Sequence, residues 1–261
     1  IRVLFSEGCH LFKDRVQNLG QPNDRLAEAE LVAENADAVI ACVGLDATLE
    51  GEEGDTGNAF ASGDKISLNL PESQQKLLDA LVKTGKPLVT VVAAGSALNV
   101  PQGNAEIMAW YPGQAGGTAL AEILFGEVNP SGRLPFTFPV RLEDNSAHAL
   151  GQWPGDGVNV TYNEGIFVGY RWADAKGIEA LFPFGHGLSY TTFAYGEPKL
   201  SKSSLGADGK LTLTVEVTNT GDRTGAETVQ LYIGDKESSL PRPQKELKGF
   251  RKVRLAPGEK T

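Results

Sequence analysis

The amino-acid sequence predicts a parallel α/β domain followed by an antiparallel β-sandwich. Up to about residue 126, short apolar runs alternate with amphipathic helical stretches, a pattern typical of a parallel sheet with right-handed crossovers. After Pro198, apolar and polar residues alternate one by one, as in strands that bury a single face. The length of 261 residues allows one or two such domains.

Three elements precede an acidic loop. Residues 1–6 form a short apolar run that predicts a strand. Residues 24–36 predict a helix, capped by Asn23 or Asp24, with an apolar face made of Leu26, Ala29, Val32, Ala33 and Ala36. Residues 38–44 are apolar at nearly every position, so we predict a strand that is buried on both faces of the sheet.

Four further elements follow the loop. A helix is expected to begin at Pro71 and to end at Gly85. Its apolar stripe consists of Leu77, Leu78, Leu81 and Val82. Residues 87–95 and 107–113 predict buried strands, and residues 114–126 predict a helix.

The last part of the chain differs in composition and in the spacing of its apolar residues. From about residue 127 the sequence is rich in Pro, Gly and aromatic residues, which predicts irregular wrapping segments. Residues 210–221 and 226–235 alternate apolar and polar side chains around the turn signal NTGD, so we predict antiparallel strands there.

Composition excludes several classes of function. A net charge of −9 argues against binding to nucleic acid, which needs Lys and Arg to neutralise phosphates. No stretch approaches 18 uninterrupted apolar residues, so we expect no membrane span. No basic segment followed by an apolar core opens the chain, so no signal peptide is visible. The chain opens on a strand-like run and closes on a turn, and we expect it to be a piece of a longer polypeptide.

Cysteine and histidine patterns predict no metal site and no cofactor. Cys9 and Cys42 each end an apolar stretch, which favours two buried free thiols, although a single disulfide between them is an alternative. His10, His148 and His186 are scattered along the chain. The Gly pair that opens the last predicted helix lacks a phosphate-binding pattern and indicates close packing.

The segment LEGEEGD, residues 49–55, contains the candidate catalytic residues. It directly follows the predicted strand 38–44, and ligands of parallel sheets bind beyond the carboxyl ends of the strands. Either these carboxylates form a solvated acidic loop, or one of them is held near a substrate as a general acid. Trp110 and Tyr111 end another predicted strand, and a place in the core is favoured over a platform on which a ligand would stack.

Several segments together resemble the C-terminal half of glycoside hydrolase family 3. They are GLDATLEGEEGD, LNLPESQQKLLDALVKTGKPLVTVV, AWYPGQAGGTALAEILFGEVNPSGRLPFTFP, YNEGIFVGYRWAD and LFPFGHGLSYTTF. The resemblance implies an (α/β)6-like sandwich over residues 1–195 and an incomplete fibronectin type III-like domain over residues 196–261. It also implies a partner, an N-terminal barrel domain that carries the aspartate nucleophile and lies outside this chain.

The resemblance also implies which glutamate is the general acid/base. Related β-glucosidases read roughly E-x-E-G-x-D here, which places the general acid/base at Glu52, with Glu50 as the alternative. This sequence departs from the pattern, because an extra Glu53 precedes Gly54 and TGNAFASGDK is inserted before the LNLP segment. Crowded carboxylates and partial burial both raise a glutamate pKa, which would help to keep a general acid protonated.

The expected function is therefore that of the C-terminal part of a retaining β-glucosidase. It would act on terminal non-reducing β-D-glucosyl residues of a β-linked oligosaccharide or aryl glucoside, without a cofactor. The chain alone is expected to be inactive because it lacks the nucleophile. The alternatives are a β-xylosidase or arabinofuranosidase of the same family, or a non-catalytic carbohydrate-binding module. A periplasmic or secreted location is favoured over the cytoplasm.

Overall fold

Two compact units make up the part of the chain that the structure describes. The computed structural model describes residues 1–51, 65–100, 102–153, 155–206 and 208–261. The first unit comprises residues 1–118 and 140–142, and the second comprises residues 119–139 and 143–261. All parallel strand pairing lies in the first unit, and the paired antiparallel strands lie in the second.

A three-stranded parallel sheet forms the centre of the first unit. Its strands lie in the order β1 (Val39–Gly44), β2 (Leu88–Ala93) and β3 (Ala105–Met108). Val39 is paired with Leu88, so the carboxyl ends of β1 and β2 fall at the same edge of the sheet. The predicted parallel α/β architecture is confirmed.

Helices cover this sheet with small and branched apolar side chains. The helices of this region are α1 (Leu26–Glu34) and α2 (Glu72–Lys83), whereas α3 (Gly116–Leu124) begins in the first unit and continues into the second. Helix α1 lacks the predicted cap from Asn23 or Asp24, since no side chain caps it and Arg25 stands at the N-cap position. Helix α2 ends near Gly85 as predicted, but Val82 is 46% exposed and lies outside the buried stripe. The buried core consists mainly of Ala29, Ala33, Ala41, Val43, Leu45, Leu49, Leu77, Leu78, Leu81, Leu88, Val92 and Leu98.

Further predictions for the first unit are wrong. Residues 1–6 form no strand, and their apolar side chains are largely exposed because no described strand pairs with them. Strand β1 is not buried on both faces, since Ile40 and Cys42 are exposed where the described residues leave the outer face of this edge strand open. Cys42 is therefore not the buried thiol that was expected. Cys9 is half-buried, burial raises its thiol pKa to about 11, and the two cysteines are unpaired.

Glu106 on β3 is a partly buried carboxyl group. Burial raises its pKa from 4.5 to about 7. The native state therefore holds this proton more tightly than the unfolded chain between these two values. The resulting contribution to stability is fully present below pH 4.5 and is lost as the pH rises through about 7.

We expect Glu106→Gln to remove this pH dependence. The free energy of unfolding of the wild type should fall by about 2 kcal/mol more than that of the variant between pH 4.5 and pH 7.5. Urea titrations across this range would measure the difference. The exposed Glu34→Gln is the matched control and should follow the wild type. Parallel pH profiles for wild type and Glu106→Gln would contradict the expectation.

The described part of the second unit consists of antiparallel strand pairs, short helices and irregular segments. The pairs are β4 (Phe138–Pro139) with β5 (Ala180–Phe182), β6 (Phe193–Tyr195) with β9 (Val217–Asn219), β7 (Lys199–Leu200) with β8 (Leu213–Thr214), and β10 (Gly225–Ile233) with β11 (Glu246–Leu255). A 3₁₀ helix spans Leu142–Asp144, and the helices of this part are α4 (Ser146–Ala149) and α5 (Tyr170–Lys176). Predicted strand 226–235 is confirmed as β10, whereas predicted strand 210–221 is divided between β8 and β9. The predicted domain boundary at 195/196 stays a prediction.

Asn219 is a fully buried polar residue at the end of β9. Its side-chain amide nitrogen donates to the backbone oxygens of Arg223 at 2.7 Å and Leu255 at 3.0 Å. Its oxygen accepts from the Thr191 hydroxyl at 2.7 Å and from the Gly221 amide at 3.1 Å. One side chain therefore ties the 219–223 turn to the end of β11 and to the segment that enters β6.

Candidate active site

The carboxyl end of β1 is fixed by a side chain from α2. Gln74, which is 2% exposed, accepts from the Gly44 amide at 2.7 Å and donates to the Gly44 carbonyl at 2.7 Å. Gly44 has φ +146°, and a Cβ there would collide with the backbone oxygen of Ala93. Only glycine fits this position, so the point at which the chain leaves the sheet for the acidic loop is closely defined.

A tight turn then carries the chain to Glu50. The amides of Leu49 and Glu50 donate to the Asp46 carbonyl at 3.0 and 2.9 Å. The Asp46 carboxylate accepts from the Thr48 amide at 2.8 Å and from its hydroxyl at 2.6 Å. The Leu49 side chain is completely buried, which anchors the turn in the core. The first part of LEGEEGD is thus an ordered turn at the carboxyl end of the sheet.

Glu50 joins the segments that follow all three strands. One carboxylate oxygen, Oε2, accepts from the Gly95 amide at 2.7 Å and from the Tyr111 hydroxyl at 2.5 Å. The other oxygen, Oε1, lies 4.0 Å from Nζ of Lys65. Lys65 in turn donates to the Ala97 carbonyl at 2.9 Å. The side chains of Glu50 and Lys65 are only 15% and 12% exposed, so little solvent screens their attraction.

These contacts keep Glu50 ionised. Burial alone would raise the pKa of Glu50, but the nearby hydroxyls of Ser96 and Tyr111, the Gly95 amide and the Lys65 cation together lower it below its ordinary value. Burial lowers the pKa of Lys65, and Glu50 opposes that effect. A carboxyl group with a depressed pKa accepts hydrogen bonds at neutral pH and is poorly suited to donate a proton.

Comparison with known proteins identifies the family. Residues 9–190 match the glycosyl hydrolase family 3 C-terminal domain, and residues 227–261 match a fibronectin type III-like domain. The chain belongs to glycoside hydrolase family 3. This assignment confirms the predicted fold class, because the family 3 match covers the parallel sheet and the fibronectin-like match covers antiparallel strands β10 and β11.

Relatives of this family 3 chain are much longer than the chain itself. A β-glucosidase of Bacteroides ovatus is 50% identical over 202 residues, which are 76% of this chain and 27% of that protein. A β-xylosidase of Formosa agariphila is 39% identical, over 99% of this chain and 33% of that protein. The crystal structure of a family 3 β-glucosidase from Bifidobacterium adolescentis superposes with a TM-score of 0.82 at 39% identity, covering 96% of this chain and 35% of that one. The chain thus spans about a third of the length of these relatives.

Of the two predicted acid/base residues, the structure describes the position of Glu50 but not that of Glu52. Glu50 lies at the carboxyl end of the sheet, as the sequence predicts. Glu52, the preferred acid/base, lies outside the described residues together with Glu53 and Asp55. The assignment of Glu52 therefore stays a prediction. Within the described ranges, no three His, Cys, Asp or Glu side chains cluster as a metal site would require, and no helix is long and apolar enough to cross a bilayer.

Sequence reasoning misplaced one aromatic residue and missed two partners. Tyr111 is not a core residue, since it is 51% exposed and its hydroxyl binds Glu50. Trp110 beside it is partly buried and adopts φ +55°, a conformation that few non-glycine residues take. Gly95 and Lys65 were not singled out. The contact of Tyr111 with Glu50 could have been suspected, because Tyr111 lies just beyond a strand. Nothing in the sequence around Lys65 indicates that it lies near Glu50.

Proposed function

We propose that this chain is the C-terminal part of a retaining β-glucosidase and supplies its general acid/base. Membership of family 3 supports the reaction class, and the similarity to β-glucosidases supports the glucosyl substrate. The observation that supports the proposal most is the Glu50 network, because Glu50 lies beyond the carboxyl end of β1 and ligands of parallel sheets generally bind at that edge.

Glu52 is the proposed acid/base, and the state of Glu50 supports this choice. A retaining glycosidase uses two carboxyl groups about 5–5.5 Å apart, one of which must be protonated when the leaving group departs. The hydroxyls of Ser96 and Tyr111, the Gly95 amide and Lys65 lower the pKa of Glu50 against the effect of burial, which favours Glu52 over Glu50 as the proton donor. The aspartate nucleophile would come from an N-terminal barrel domain outside this chain, so the chain alone would not turn over a glycoside.

A β-xylosidase activity is the second candidate. The similarity to a β-xylosidase over 99% of this chain favours it. The two sugars differ by one hydroxymethyl group, and residues of the proposed barrel domain would contribute to that discrimination.

The test uses the intact natural polypeptide that contains this chain. We expect kcat/KM for 4-nitrophenyl β-D-glucopyranoside to exceed that for the β-D-xylopyranoside by about tenfold or more, which is what one such group is worth in a fitted pocket. Proton NMR should show β-glucose as the first product. A preference for the xyloside would favour the second candidate. The α-anomer as first product, or no turnover of either glycoside, would reject the proposed reaction.

A further inference from the structure

We propose that the aromatic ring of Tyr111 is a platform on which a pyranose ring of the substrate stacks. This inference rests on the proposed function, because it concerns the same edge of the sheet and the same class of substrate. It adds a ligand-contacting residue outside the acidic segment, and the contacts on which it depends all join described residues.

Tyr111 lies where a parallel sheet binds its ligands. Strand β3 ends at Met108, and the Ala109 amide still donates to the Val92 carbonyl of β2 at 2.8 Å. Tyr111 therefore stands just beyond the carboxyl ends of β2 and β3, where the ligands of such sheets bind. It is 51% exposed, so a large part of its ring is open to a ligand at this edge.

The backbone before Tyr111 adopts a strained conformation. Trp110 has φ +55°, a region that few non-glycine residues occupy. Strained residues of this kind are concentrated at active sites and ligand clamps. Trp110 is partly buried, whereas Tyr111 beside it is exposed. The turn at Trp110 thus leaves the Tyr111 ring outside the core.

Two contacts fix the orientation of the Tyr111 ring. Its hydroxyl donates to Glu50 Oε2 at 2.5 Å. One edge of the ring lies close to Gly95, because a Cβ added at Gly95 would be only 3.1 Å from Cε2 of Tyr111. A side chain that is already held in place loses little conformational freedom when a ligand binds, which favours binding.

The exposed part of Tyr111 suits the face of a sugar ring. Burial and the hydrogen bond to Glu50 both raise the pKa of the Tyr111 hydroxyl, which therefore stays protonated and remains bound to the carboxylate. The ring accordingly offers a ligand its apolar face. All substituents of a β-D-glucopyranoside are equatorial, so both faces of the sugar present C–H groups. These weakly positive groups pack well against the negative face of an aromatic ring.

The test separates the ring of Tyr111 from its hydroxyl in the intact polypeptide. The probes are methyl 1-thio-β-D-glucopyranoside, with one sugar ring, and thiocellobiose, with two, because their sulfur linkages resist hydrolysis. Ligand-observed NMR titrations would give the Kd of each probe. Tyr111→Phe keeps the ring, so its Kd values should stay within about threefold of the wild type. Tyr111→Leu removes the ring and should weaken binding about tenfold, within the range of roughly 5–100-fold for stacked bases.

Tyr195→Leu is the matched control. Tyr195 is 50% exposed and its hydroxyl donates to Glu227 at 2.9 Å, but both residues belong to the other compact unit. We expect unchanged Kd values for both probes. Tyr111→Gln, which places a polar side chain at an exposed position, should repeat the loss seen in Tyr111→Leu. It keeps the inference testable if one variant fails to fold.

The two probes also show which sugar stacks on Tyr111. A loss on both probes indicates the glucosyl ring, and a loss on thiocellobiose alone indicates the sugar of the leaving group. Unchanged Kd values in Tyr111→Leu and Tyr111→Gln would overturn the platform. An equal loss in Tyr111→Phe and Tyr111→Leu would also overturn it, because the hydroxyl would then account for the whole effect.

Failure of the platform can be told from failure of the proposed function. If the wild type binds both probes through Tyr111 but turns over no glycoside, the proposed reaction is wrong and the platform stands. If the wild type turns over glucosides and loss of the Tyr111 ring leaves both Kd values unchanged, the platform alone is wrong. If the wild type binds neither probe, both are wrong.

Discussion

Glu52→Gln in the intact polypeptide should lower kcat/KM for methyl β-glucoside by about 10²–10⁴-fold, the usual worth of a general acid. An activated aryl glucoside needs little protonation to depart, so its glycosylation step should survive. Deglycosylation needs a general base, so turnover should slow at that step and covalent glycosyl-enzyme should accumulate. Mass spectrometry of the quenched enzyme and steady-state rates on both substrates would measure these effects.

Azide provides the decisive control for this variant. As an anionic nucleophile it needs no general base, so it should restore turnover of the aryl glucoside and yield a glycosyl azide of retained configuration. Glu53→Gln, one residue away, should show a smaller loss and no rescue. If none of Glu50→Gln, Glu52→Gln and Glu53→Gln responds to azide, the segment LEGEEGD does not supply the acid/base, and the proposed role of this chain is wrong.

Asn219→Leu should destabilise the second unit by about 4 kcal/mol. The substitution keeps the side-chain volume but leaves two backbone carbonyls, one amide and the Thr191 hydroxyl without their buried partner. Each such group costs roughly 1–3 kcal/mol, and relaxation of the turn should recover part of the sum. Urea unfolding followed by far-UV circular dichroism would measure the change in the free energy of unfolding.

Asn163→Leu is the matched control for this stability effect. Asn163 is exposed and makes one long contact, 3.5 Å to the Thr161 hydroxyl, so its replacement should change stability by less than about 0.5 kcal/mol. Equal unfolding midpoints for Asn219→Leu and the wild type would show that the four hydrogen bonds contribute little.

The periodicity of apolar residues in the sequence was enough to predict the parallel sheet and helix α2. The run LVTVVA forms β2, and Leu77, Leu78 and Leu81 of α2 are buried, because the spacing of apolar residues along the chain determines which side chains face the core. The acidic loop could also be placed, since it follows directly on β1 and parallel sheets bind ligands at that edge.

Polar contacts between residues that are distant in the sequence could not be predicted from such periodicity. Tyr111 meets Glu50 across 61 positions, and Asn219 meets Leu255 across 36. No local pattern encodes such a pairing, so an exposed tyrosine was taken for a core residue, and the buried asparagine was taken for part of a turn. Residues 1–6 were predicted to form a strand, and β1 to be buried on both faces, because these runs are apolar, although the described residues leave the apolar side chains of 1–6 and the outer face of β1 largely exposed.

The contacts that Glu50 and Lys65 make with other described residues of the first unit have a consequence for the length of the sequence between them. When two ends are held by contacts to the body of the domain, an insertion between them costs only the entropy of closing a longer loop. That cost grows with the logarithm of length, by about 0.6 kcal/mol for each doubling. The residues TGNAFASGDK, which depart from the family pattern, end at Lys65 itself. An addition of this kind therefore costs little stability as long as the contacts of Glu50 and Lys65 remain.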